Sequence, residues 1–295
     1  MNNQNSPNQN EGGSHDVRVN GAGMNAPFPI ALPPEWEVPS FTLQAFAPRR
    51  SRWCIGIPIL NEGDRIRRQL EQMYDLGLPD LADIIIADGG STDGATDRDR
   101  LVPVGVNTLL TKTGKGKLSA QLRMFFAYAL TQGYDGMVII DGNNKDGVDA
   151  IPRFLADLDQ GWDYIQGSRY MPGGIEKNTP FARKLAVPLL HAPVISLAAG
   201  FRYTDTTNGF RALSRRFLLD PGLQPFRHVF DTYNLHYYLS IMAPRLGYRV
   251  KELPVTRVYP SSGPTPSKIK GFKGEWHVLM QLFKSALGVY RPPAR

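Results

Sequence analysis

The chain has 295 residues, 42% hydrophobic and 21% charged, a composition that is typical of globular proteins and excludes a disordered chain. Its 34 lysines and arginines outnumber its 27 aspartates and glutamates, which gives a net charge of +7. This charge indicates either an ordinary solvated surface or attraction to phosphate groups or an anionic membrane. No aromatic-basic motif of an RNA-binding module is present, so we do not expect nucleic acid as a partner.

The N-terminal segment and the most apolar stretch bear on where the protein acts. Residues 1–48 are rich in Asn, Gln, Gly and Pro, which predicts a disordered tail or a segment laid over the surface. No signal peptide is recognisable, and the apolar residues 185–199 are interrupted by Pro188, His191 and Pro193. We therefore expect a cytoplasmic protein without a transmembrane helix, and peripheral contact with a membrane stays open.

From Trp53 onward, predicted strands and helices alternate. Short β-branched runs predict strands, and apolar residues three and four positions apart predict helices. The predicted strands cover residues 54–60, 83–88, 106–110, 137–141 and 164–167, and the helices cover 64–74, 117–131 and 148–158. This alternation predicts an α/β fold with a mainly parallel sheet flanked by helices, in a single domain over residues 49–260. Cys54, the one cysteine, falls in the first strand and is expected to be a small core residue.

The pattern is less regular in the last third of the chain. Residues 181–199 form an apolar, proline-bearing helical stretch, 233–246 are predicted as a helix and 248–258 as a strand. Residues 261–295 are predicted to hold a polar, proline-rich loop and an amphipathic helix that begins near Trp276. The apolar side of that helix either packs on the domain, the preferred interpretation, or lies on a membrane surface.

Polar turns follow three of the predicted strands. Asn61 and Glu62 follow the first strand, residues 88–94 (DGGSTDG) follow the second, and residues 141–144 (DGNN) follow the fourth. Because ligands bind beyond the carboxyl ends of parallel strands, we expect these turns to form one site. Asp88 alone fits two interpretations equally: a carboxylate that accepts hydrogen bonds from a ribose or base, and the cap of a tight turn.

Asp141 and Asn143 place two oxygen-bearing side chains two positions apart at a strand end. Such a pair can bind a hard cation that bridges a diphosphate, or can form an ordinary Asx turn. An EF-hand is excluded, because Lys145 and Pro152 stand where its ligands would be. The basic, glycine-rich turn that ends at Lys117 lacks the spacing of a P-loop, but it can still hold a phosphate at the start of the next helix.

In their order along the chain, these motifs resemble those of family-2 glycosyltransferases with the GT-A (Rossmann-like) fold. The resemblance is carried by residues 57–62 (IPILNE), 88–93 (DGGSTD), 141–143 (DGN), 167–170 (GSRY) and 205–212 (DTTNGFRA). The last two segments resemble the dolichol-phosphate mannose synthase-like branch, which transfers a sugar from a nucleotide diphosphate to a polyprenyl phosphate. The resemblance runs from about residue 53 to 268, and the segment from 252 onward is similar to the closing phosphate loop of that branch.

The resemblance implies roles for individual residues. Asp205 is the candidate for acceptor orientation or general base. The residues expected to bind the nucleotide-sugar donor are Pro58, Asn61, Glu62, Asp88 and Asp141, together with Lys117 from its glycine-rich turn. Those expected to contact the acceptor or leaving phosphates are Arg169, Arg211, Arg257 and Lys268. Surface ion pairs are the alternative for Arg169 and Arg211, and Mg²⁺ or Mn²⁺ is expected at Asp141 and Asn143.

Three positions depart from the family pattern. The family commonly has a second acidic residue where Gly89 stands, so the nucleoside contacts depend more on Asp88. Its metal motif usually has a second carboxylate at the position of Asn143, and this branch has an amide at that of Lys145. A neutral amide is a weaker ligand than a carboxylate, and a lysine can repel a metal or neutralise a diphosphate itself. The expectation is a weakly bound metal held through Asp141.

The expected activity is inverting sugar transfer to a polyprenyl phosphate, an acceptor that is ionised at neutral pH and needs no strong base. The same donor chemistry on a soluble hydroxyl acceptor is the first alternative. A non-catalytic member that binds nucleotide or lipid is a second, supported by Asn143 and Lys145. A sugar-1-phosphate nucleotidyltransferase is disfavoured, because no glycine-rich, basic signature precedes the domain. The sugar, the nucleotide and the oligomeric state stay open.

Overall fold

The structure, a computed structural model, describes residues 17–19, 32–261 and 271–292. Eleven strands lie in these residues: β1 (Val17–Val19), β2 (Phe41–Ala45), β3 (Trp53–Ile59), β4 (Asp83–Asp88), β5 (Val106–Lys112), β6 (Gly136–Ile139), β7 (Tyr164–Ser168), β8 (Ile175–Lys177), β9 (Arg211–Ser214), β10 (Val250–Pro254) and β11 (Thr256–Val258). Nine form one sheet in the order β1-β2-β5-β4-β3-β6-β9-β7-β10, and β8 pairs with β11 in a small second sheet.

Ten α-helices lie in the same residues: α1 (Asp64–Asp75), α2 (Leu78–Leu81), α3 (Arg98–Leu101), α4 (Leu118–Thr131), α5 (Ile151–Asp159), α6 (Phe181–Ala186), α7 (Ala192–Ala199), α8 (Arg215–Leu218), α9 (Asn234–Arg245) and α10 (Gly271–Ala286). Short 3₁₀ turns precede β5 and α5, and a π-helical segment joins α6 to α7. The predicted α1, α4 and α9 are each found within about two residues of their predicted ends.

The central strands are parallel, as the sequence predicts. β3 pairs in parallel with both β4 and β6, and β4 pairs in parallel with β5. Two antiparallel neighbours interrupt the pattern, because β9 lies between β6 and β7, and β2 lies against β5. The mainly parallel α/β sheet is therefore confirmed, and the carboxyl ends of β3, β4 and β6 meet at one edge.

Two apolar cores cover the two faces of the sheet. On one face, Ile66 and Leu70 of α1 and Phe154 of α5 pack against the isoleucines of β3 and β4. On the other face α4 is buried nearly all round, as expected of a helix that is apolar on every side. Its Phe125 ring lies so close to Gly56 that a Cβ there would be 2.3 Å from the ring. Cys54 is buried in this core, as predicted.

The domain begins earlier than the predicted boundary at residue 49. Trp36 stacks on Phe226 with ring centroids 3.9 Å apart, and Phe41 of β2 is buried. β2 extends the sheet by pairing with β5. β2 does alternate apolar and polar residues, but it is only five residues long and lies in a segment rich in proline and polar residues, so the composition of the segment concealed it. Residues 36–45 are therefore part of the folded domain.

Residues 181–199 form one continuous helical run, as the sequence predicts, and the prolines do not break it. Pro188 and Pro193 lie in the first positions of the π segment and of α7, and the changed register of the π segment accommodates the missing N–H groups. By length and composition, this is the one helix in the described residues that is able to cross a membrane, and 28% of it is buried against the protein. The single strand predicted over residues 248–258 is not continuous in the structure, where it divides into β10 and β11, which lie in separate sheets.

Candidate functional site

The turns that follow β3 and β4 are joined by hydrogen bonds. The Thr92 N–H donates to Asn61 Oδ1 over 2.8 Å, the Asn61 N–H donates to Ser91 Oγ over 2.9 Å, and the Gly63 N–H donates to Asp93 Oδ2 over 2.7 Å. Asn61 has a φ of +50°, in the left-handed region that asparagine tolerates better than most residues. The two turns therefore form one wall at the edge of the sheet.

The predicted donor residues Asp88, Glu62 and Pro58 lie in this wall. Asp88 is buried, and it accepts hydrogen bonds from the Ser91 N–H (3.0 Å), the Ser91 hydroxyl (2.6 Å) and the Gly90 N–H (3.1 Å). Glu62 forms an ion pair with Arg65 at 2.8 Å, and the Pro58 carbonyl accepts from Gly142. Asp88 therefore caps its own turn, and its contact with a nucleoside stays a prediction.

Gly89, where the family commonly has an acidic residue, leaves little space for a side chain unless Gln121 moves. A Cβ at Gly89 would lie 2.9 Å from Gln121 Nε2 and 3.3 Å from the Ile59 carbonyl oxygen. The Gln121 amide donates to the carbonyls of Ile59 (2.8 Å) and Ala87 (3.0 Å), and so ties the ends of β3 and β4 together. Sequence reasoning missed Gln121, which looked like one more residue of α4.

The basic turn before α4 lies beside this wall. Lys117 precedes α4 with an exposed side chain, and its backbone N–H donates to the Asp231 carbonyl over 3.1 Å. Lys112, at the end of β5, is the more enclosed cation: burial lowers its pKa, and the charges of Asp231 and Asp88 oppose that shift. The sequence singled out Lys117, whereas the structure places Lys112 within the electrostatic reach of Asp88.

Asp205 and Arg169 form a buried, two-point ion pair. Arg169 Nε lies 2.6 Å from Asp205 Oδ2, and Nη2 lies 3.0 Å from Oδ1. The Thr207 N–H and hydroxyl also donate to Oδ1, both over 3.1 Å. Burial favours the neutral carboxyl group, but Arg169 and these hydrogen bonds outweigh it and lower the pKa of Asp205. Arg169 is thus not a surface residue, and Asp205 is held as a carboxylate.

Glu252 of β10 fixes the loop that carries Asp205. It accepts hydrogen bonds from the N–H groups of Thr204 (2.9 Å) and Asp205 (3.0 Å), and from the Thr204 hydroxyl (2.8 Å). Burial raises the pKa of Glu252, and the hydrogen bonds from the loop oppose that shift. Glu252 acts on the site through its neighbours and is a positioning residue.

Arg257 of β11 joins Asp141 to a second carboxylate, Asp146. Arg257 Nη2 lies 3.2 Å from Asp141 Oδ2, and Nη1 donates to Asp146. Burial favours the neutral form of Asp141, but the positive charges of Arg257 and Lys145 have the larger effect and lower its pKa. For Asp146 the effect of burial is larger, and its pKa is raised. Gly209 permits this arrangement, because a Cβ there would be 2.6 Å from Asp141 Oδ1. Asp146 was not among the predicted site residues.

Three cations converge on the ring of Tyr259. Lys145 Nζ lies 4.8 Å from the ring centre, Arg257 Cζ lies 5.6 Å from it, and Arg183 Nη1 donates to the Tyr259 hydroxyl over 3.2 Å. Burial lowers the pKa of Lys145 to about 8. Burial would raise the pKa of Tyr259, but the surrounding arginines and Lys145 lower it to about 8. Arg183, on α6, was not predicted, and it connects the apolar helix to the phosphate side of the site.

The residues predicted to bind a metal are a poor donor set for one. Magnesium and manganese prefer several oxygen ligands, at least one of them usually a carboxylate. The Asn143 amide donates its N–H to Asp141 Oδ2 over 3.3 Å, so its oxygen does not share a cation with that carboxylate, and Asn143 Oδ1 has no hydrogen-bond partner in the described structure. No group of three His, Cys, Asp or Glu suited to a metal occurs in residues 17–19, 32–261 and 271–292.

Two predicted phosphate contacts do not join this cluster. Arg211 lies on β9 with its side chain in the core, where it donates to the Tyr164 hydroxyl (2.8 Å) and the Asn208 carbonyl (2.6 Å). Its burial excludes a surface ion pair, and its contact with a phosphate stays a prediction. Lys268 lies outside the described residues. The described site therefore has two parts, the wall around Asp88 and the cluster around Asp141, Arg257 and Asp205.

Comparisons with known proteins agree with this fold. No family model matches the chain. Over 217 residues it is 28% identical to undecaprenyl-phosphate mannosyltransferase of Micrococcus luteus, which covers 73% of this chain and 86% of the relative. It is 29% identical to polyprenol monophosphomannose synthase of Mycolicibacterium smegmatis, over 70% of this chain and 77% of the relative.

Solved structures give the fold. Glucosyl-3-phosphoglycerate synthase from Mycobacterium tuberculosis, in complex with Mn²⁺, UDP and glucosyl-3-phosphoglycerate, matches with a TM-score of 0.57 and 16% identity over 80% of this chain and 78% of that one. A crystal structure of the same enzyme contains Mg²⁺ and UDP. The fold and the relatives together confirm that this chain resembles the GT-A glycosyltransferases of family 2 and their dolichol-phosphate mannose synthase-like branch.

Proposed function

We propose that the protein is an inverting glycosyltransferase that moves a sugar from a nucleotide diphosphate sugar to a polyprenyl phosphate. The sequence relatives support this acceptor, since they are named for undecaprenyl phosphate and polyprenol, and they are named for the transfer of mannose. Nucleotide-activated mannose is therefore the first donor to test.

The state of Asp205 is the observation that carries this proposal. A hydroxyl acceptor needs a general base whose pKa lies near the operating pH. Asp205 is buried, its pKa is lowered, and both its oxygens are engaged by Arg169, so it is poorly suited to take a proton. A phosphate monoester is already ionised at neutral pH and needs no base. We assign Asp205 the task of holding Arg169 in place for the acceptor phosphate.

The charge of the cluster suits two phosphate groups. Four cations (Arg169, Arg183, Arg257 and Lys145) stand with three carboxylates (Asp141, Asp146 and Asp205), which leaves one excess positive charge before any ligand binds. Fixed positive groups of this kind stabilise the charge that develops on a leaving diphosphate. In this proposal the wall formed by Pro58, Asn61, Glu62 and Asp88 receives the nucleoside, and Lys117 stays a candidate for the donor.

We also propose that α6, α7 and α10 rest on the membrane that holds the acceptor. Phe181 and Leu197 are 75% and 88% exposed. α10 packs against α7, and Trp276 on α10 and Leu287 directly after it are 56% and 80% exposed. A bilayer is the occupant that suits this surface, because the helical run is apolar enough to enter one. Arg183 links its first turn to the phosphate cluster. This arrangement supports a cytoplasmic protein at the membrane periphery.

Mg²⁺ or Mn²⁺ at Asp141 and Asn143 stays a prediction. The neighbouring enzyme has been crystallised with either ion and UDP, which supports a divalent metal in proteins of this fold. The side chains of this chain fit such an ion poorly, and no step of the proposed transfer is assigned to it.

A transfer assay tests the proposed function. The full chain is incubated with labelled GDP-mannose or UDP-glucose and polyprenyl phosphate in mixed micelles, with neutral polyprenol and phosphoglyceric acid as matched acceptors. We expect label in the polyprenyl phosphate alone. Equal transfer to phosphoglyceric acid would favour the soluble acceptor. Nucleotide binding without transfer to any acceptor would favour a non-catalytic member.

A further inference from the structure

We propose that Lys145 and Arg257, rather than a metal ion, supply the positive charge that faces the donor diphosphate, so that this protein binds its nucleotide sugar without a divalent cation. This inference rests on the proposed function, because it takes the ligand at this edge of the sheet to be a nucleotide diphosphate. It goes against what the neighbouring structures contain, namely UDP together with Mn²⁺ or Mg²⁺.

The carboxylates of the cluster are already neutralised. Arg257 lies between Asp141 and Asp146 and donates to both. Lys145, two positions after Asn143, adds a second cation whose charge acts on Asp141. Two carboxylates and two cations leave no net negative charge to attract a divalent ion, and an entering ion would be repelled by both cations. The residues at the predicted metal position also suit a divalent ion poorly, because they are one carboxylate, Asp141, and the amide of Asn143, which directs its N–H toward that carboxylate.

The backbone fixes Lys145 in position. Its carbonyl accepts from the Val258 N–H over 2.8 Å, and the Gly147 N–H donates to the Thr256 carbonyl over 2.9 Å, so the loop after β6 is tied to β11. The side chain of Lys145 is buried and lies over the Tyr259 ring. A buried cation that is held in place does not need to be reoriented when the ligand arrives, which is the property that makes a charged group effective against a diphosphate.

Arg257 has the same preorganisation. Its guanidinium group is buried, and its two donors to Asp141 and Asp146 leave the group fixed in one plane. The pair formed by Lys145 and Arg257 therefore places two positive charges at the carboxyl end of β6. Two monovalent cations supply the charge of one divalent ion, at the position in the sheet where the sequence motif predicts the metal.

Nucleotide binding with and without metal tests the inference. Binding of UDP and GDP to the full chain is measured by titration calorimetry, in EDTA and in excess Mn²⁺ or Mg²⁺. We expect the wild-type Kd to differ by less than about three-fold between the two conditions. Lys145→Gln, which restores the amide of the related branch, is expected to weaken binding in EDTA by at least about ten-fold. Lys145→Arg keeps the charge and is expected to bind in EDTA like the wild type, which guards against a folding defect.

Two further variants sharpen the result. Lys251→Gln removes a lysine that pairs with Asp157 away from the cluster, and its Kd values are expected to match those of the wild type. Asn143→Asp combined with Lys145→Gln rebuilds the acidic motif, and its binding is expected to require Mn²⁺ or Mg²⁺.

The outcomes separate this inference from the proposed function. If the wild type binds nucleotide in metal but not in EDTA, or if Lys145→Gln binds in EDTA as tightly as the wild type, the inference is wrong and the proposed function stands. If the wild type binds neither UDP nor GDP in either condition, both are wrong.

Discussion

The two parts of the site use their carboxylates differently. In the wall formed by the turns after β3 and β4, Asp88 and Asp93 accept hydrogen bonds from N–H groups of those same turns. In the cluster, Asp141, Asp146 and Asp205 are each paired with an arginine from a distant part of the chain. The wall is therefore built mainly from hydrogen bonds that backbone N–H groups donate, and the cluster from ion pairs between side chains.

This difference predicts how the two parts respond to change. A local turn that loses one hydrogen bond can relax and be hydrated, because it lies at an exposed edge. A buried carboxylate that loses its arginine keeps its charge without a partner, which costs far more than the pair contributed. Charge substitutions should therefore be more damaging in the cluster than in the wall.

The largest effect is expected from breaking the pair between Arg169 and Asp205. Arg169→Met leaves Asp205 buried and unpaired, and should lower the free energy of unfolding by about 3–5 kcal/mol, with loss of transfer. Arg169→Met combined with Asp205→Asn removes both charges and should recover much of that stability but not the transfer. Urea denaturation and the transfer assay measure both effects. Arg67→Met, at an exposed pair with Glu71, is the control and should change stability little. If Arg67→Met lowers the free energy of unfolding as much as Arg169→Met does, the pair between Arg169 and Asp205 behaves as an exposed pair, and the prediction is wrong.

The next effect concerns the apolar surface beside the cluster. Leu197→Glu combined with Trp276→Glu places two charges where we propose that the bilayer lies, and should weaken binding to anionic phosphatidylglycerol vesicles by at least about ten-fold. Stability should be unchanged, because both side chains are exposed. Leu76 follows the last residue of α1 and is 53% exposed, and Leu76→Glu should bind vesicles like the wild type. Co-sedimentation gives the fraction of protein bound to vesicles. If the double variant and Leu76→Glu lose vesicle binding equally, the proposed membrane surface is wrong.

A smaller effect is expected from a change in size in the wall. Gly89→Asp restores the acidic residue of the family pattern, but its Cβ would press on the Gln121 amide and the Ile59 carbonyl, at a cost of about 1–3 kcal/mol. Nucleotide affinity should fall, although a carboxylate has been added. The Gln121→Ala variant has space for the new side chain. Adding Gly89→Asp to Gln121→Ala should therefore lower the stability by less than Gly89→Asp lowers that of the wild type. Thermal unfolding and nucleotide titration give both quantities. A stable Gly89→Asp protein that binds nucleotide more tightly would contradict this prediction and show that the Gln121 side chain moves aside at little cost.

The sequence predicts the framework well where the signal is local. The apolar runs of β3 and β4 and the apolar spacing of α4 are properties of neighbouring residues, and each was located correctly. The strand ends placed Asp88 and Asp141 at the edge of the sheet for the same reason. β2 was missed, because it lies among prolines and polar residues and is recognised as a strand only from its pairing with β5.

The pairings within the site could not be predicted in this way. Asp146 is a site residue only because a loop after β6 meets Arg257, which lies more than a hundred positions later in the chain. Gln121 matters because its amide reaches two strand ends. Arg211 shows the reverse case: it stands in a motif with Asp205, but β9 turns its side chain into the core. A motif gives the position of a residue along the chain, and the sheet decides which way its side chain points.

The last prediction concerns a histidine next to the cluster. His191 is buried in the π segment between α6 and α7, and its Nδ1 has no hydrogen-bond partner in the described structure. Burial lowers its pKa to about 4, with Arg183 acting in the same direction and Asp205 against it. Between pH 4 and 6.5 the unfolded chain therefore binds a proton at this position that the folded chain does not. Stability must rise with pH across this window and fall on acidification.

Each unit of pH within that window changes the free energy of unfolding by at most about 1.4 kcal/mol, so His191 should account for a loss of about 2 kcal/mol between pH 7 and pH 5. His191→Phe keeps a ring next to Tyr237 and should remove that part of the pH dependence. Urea denaturation at the two pH values gives the difference. If His191→Phe loses as much stability as the wild type on acidification, the imidazole is hydrated in the folded state, and the cluster is more open to water than its buried charge pairs imply.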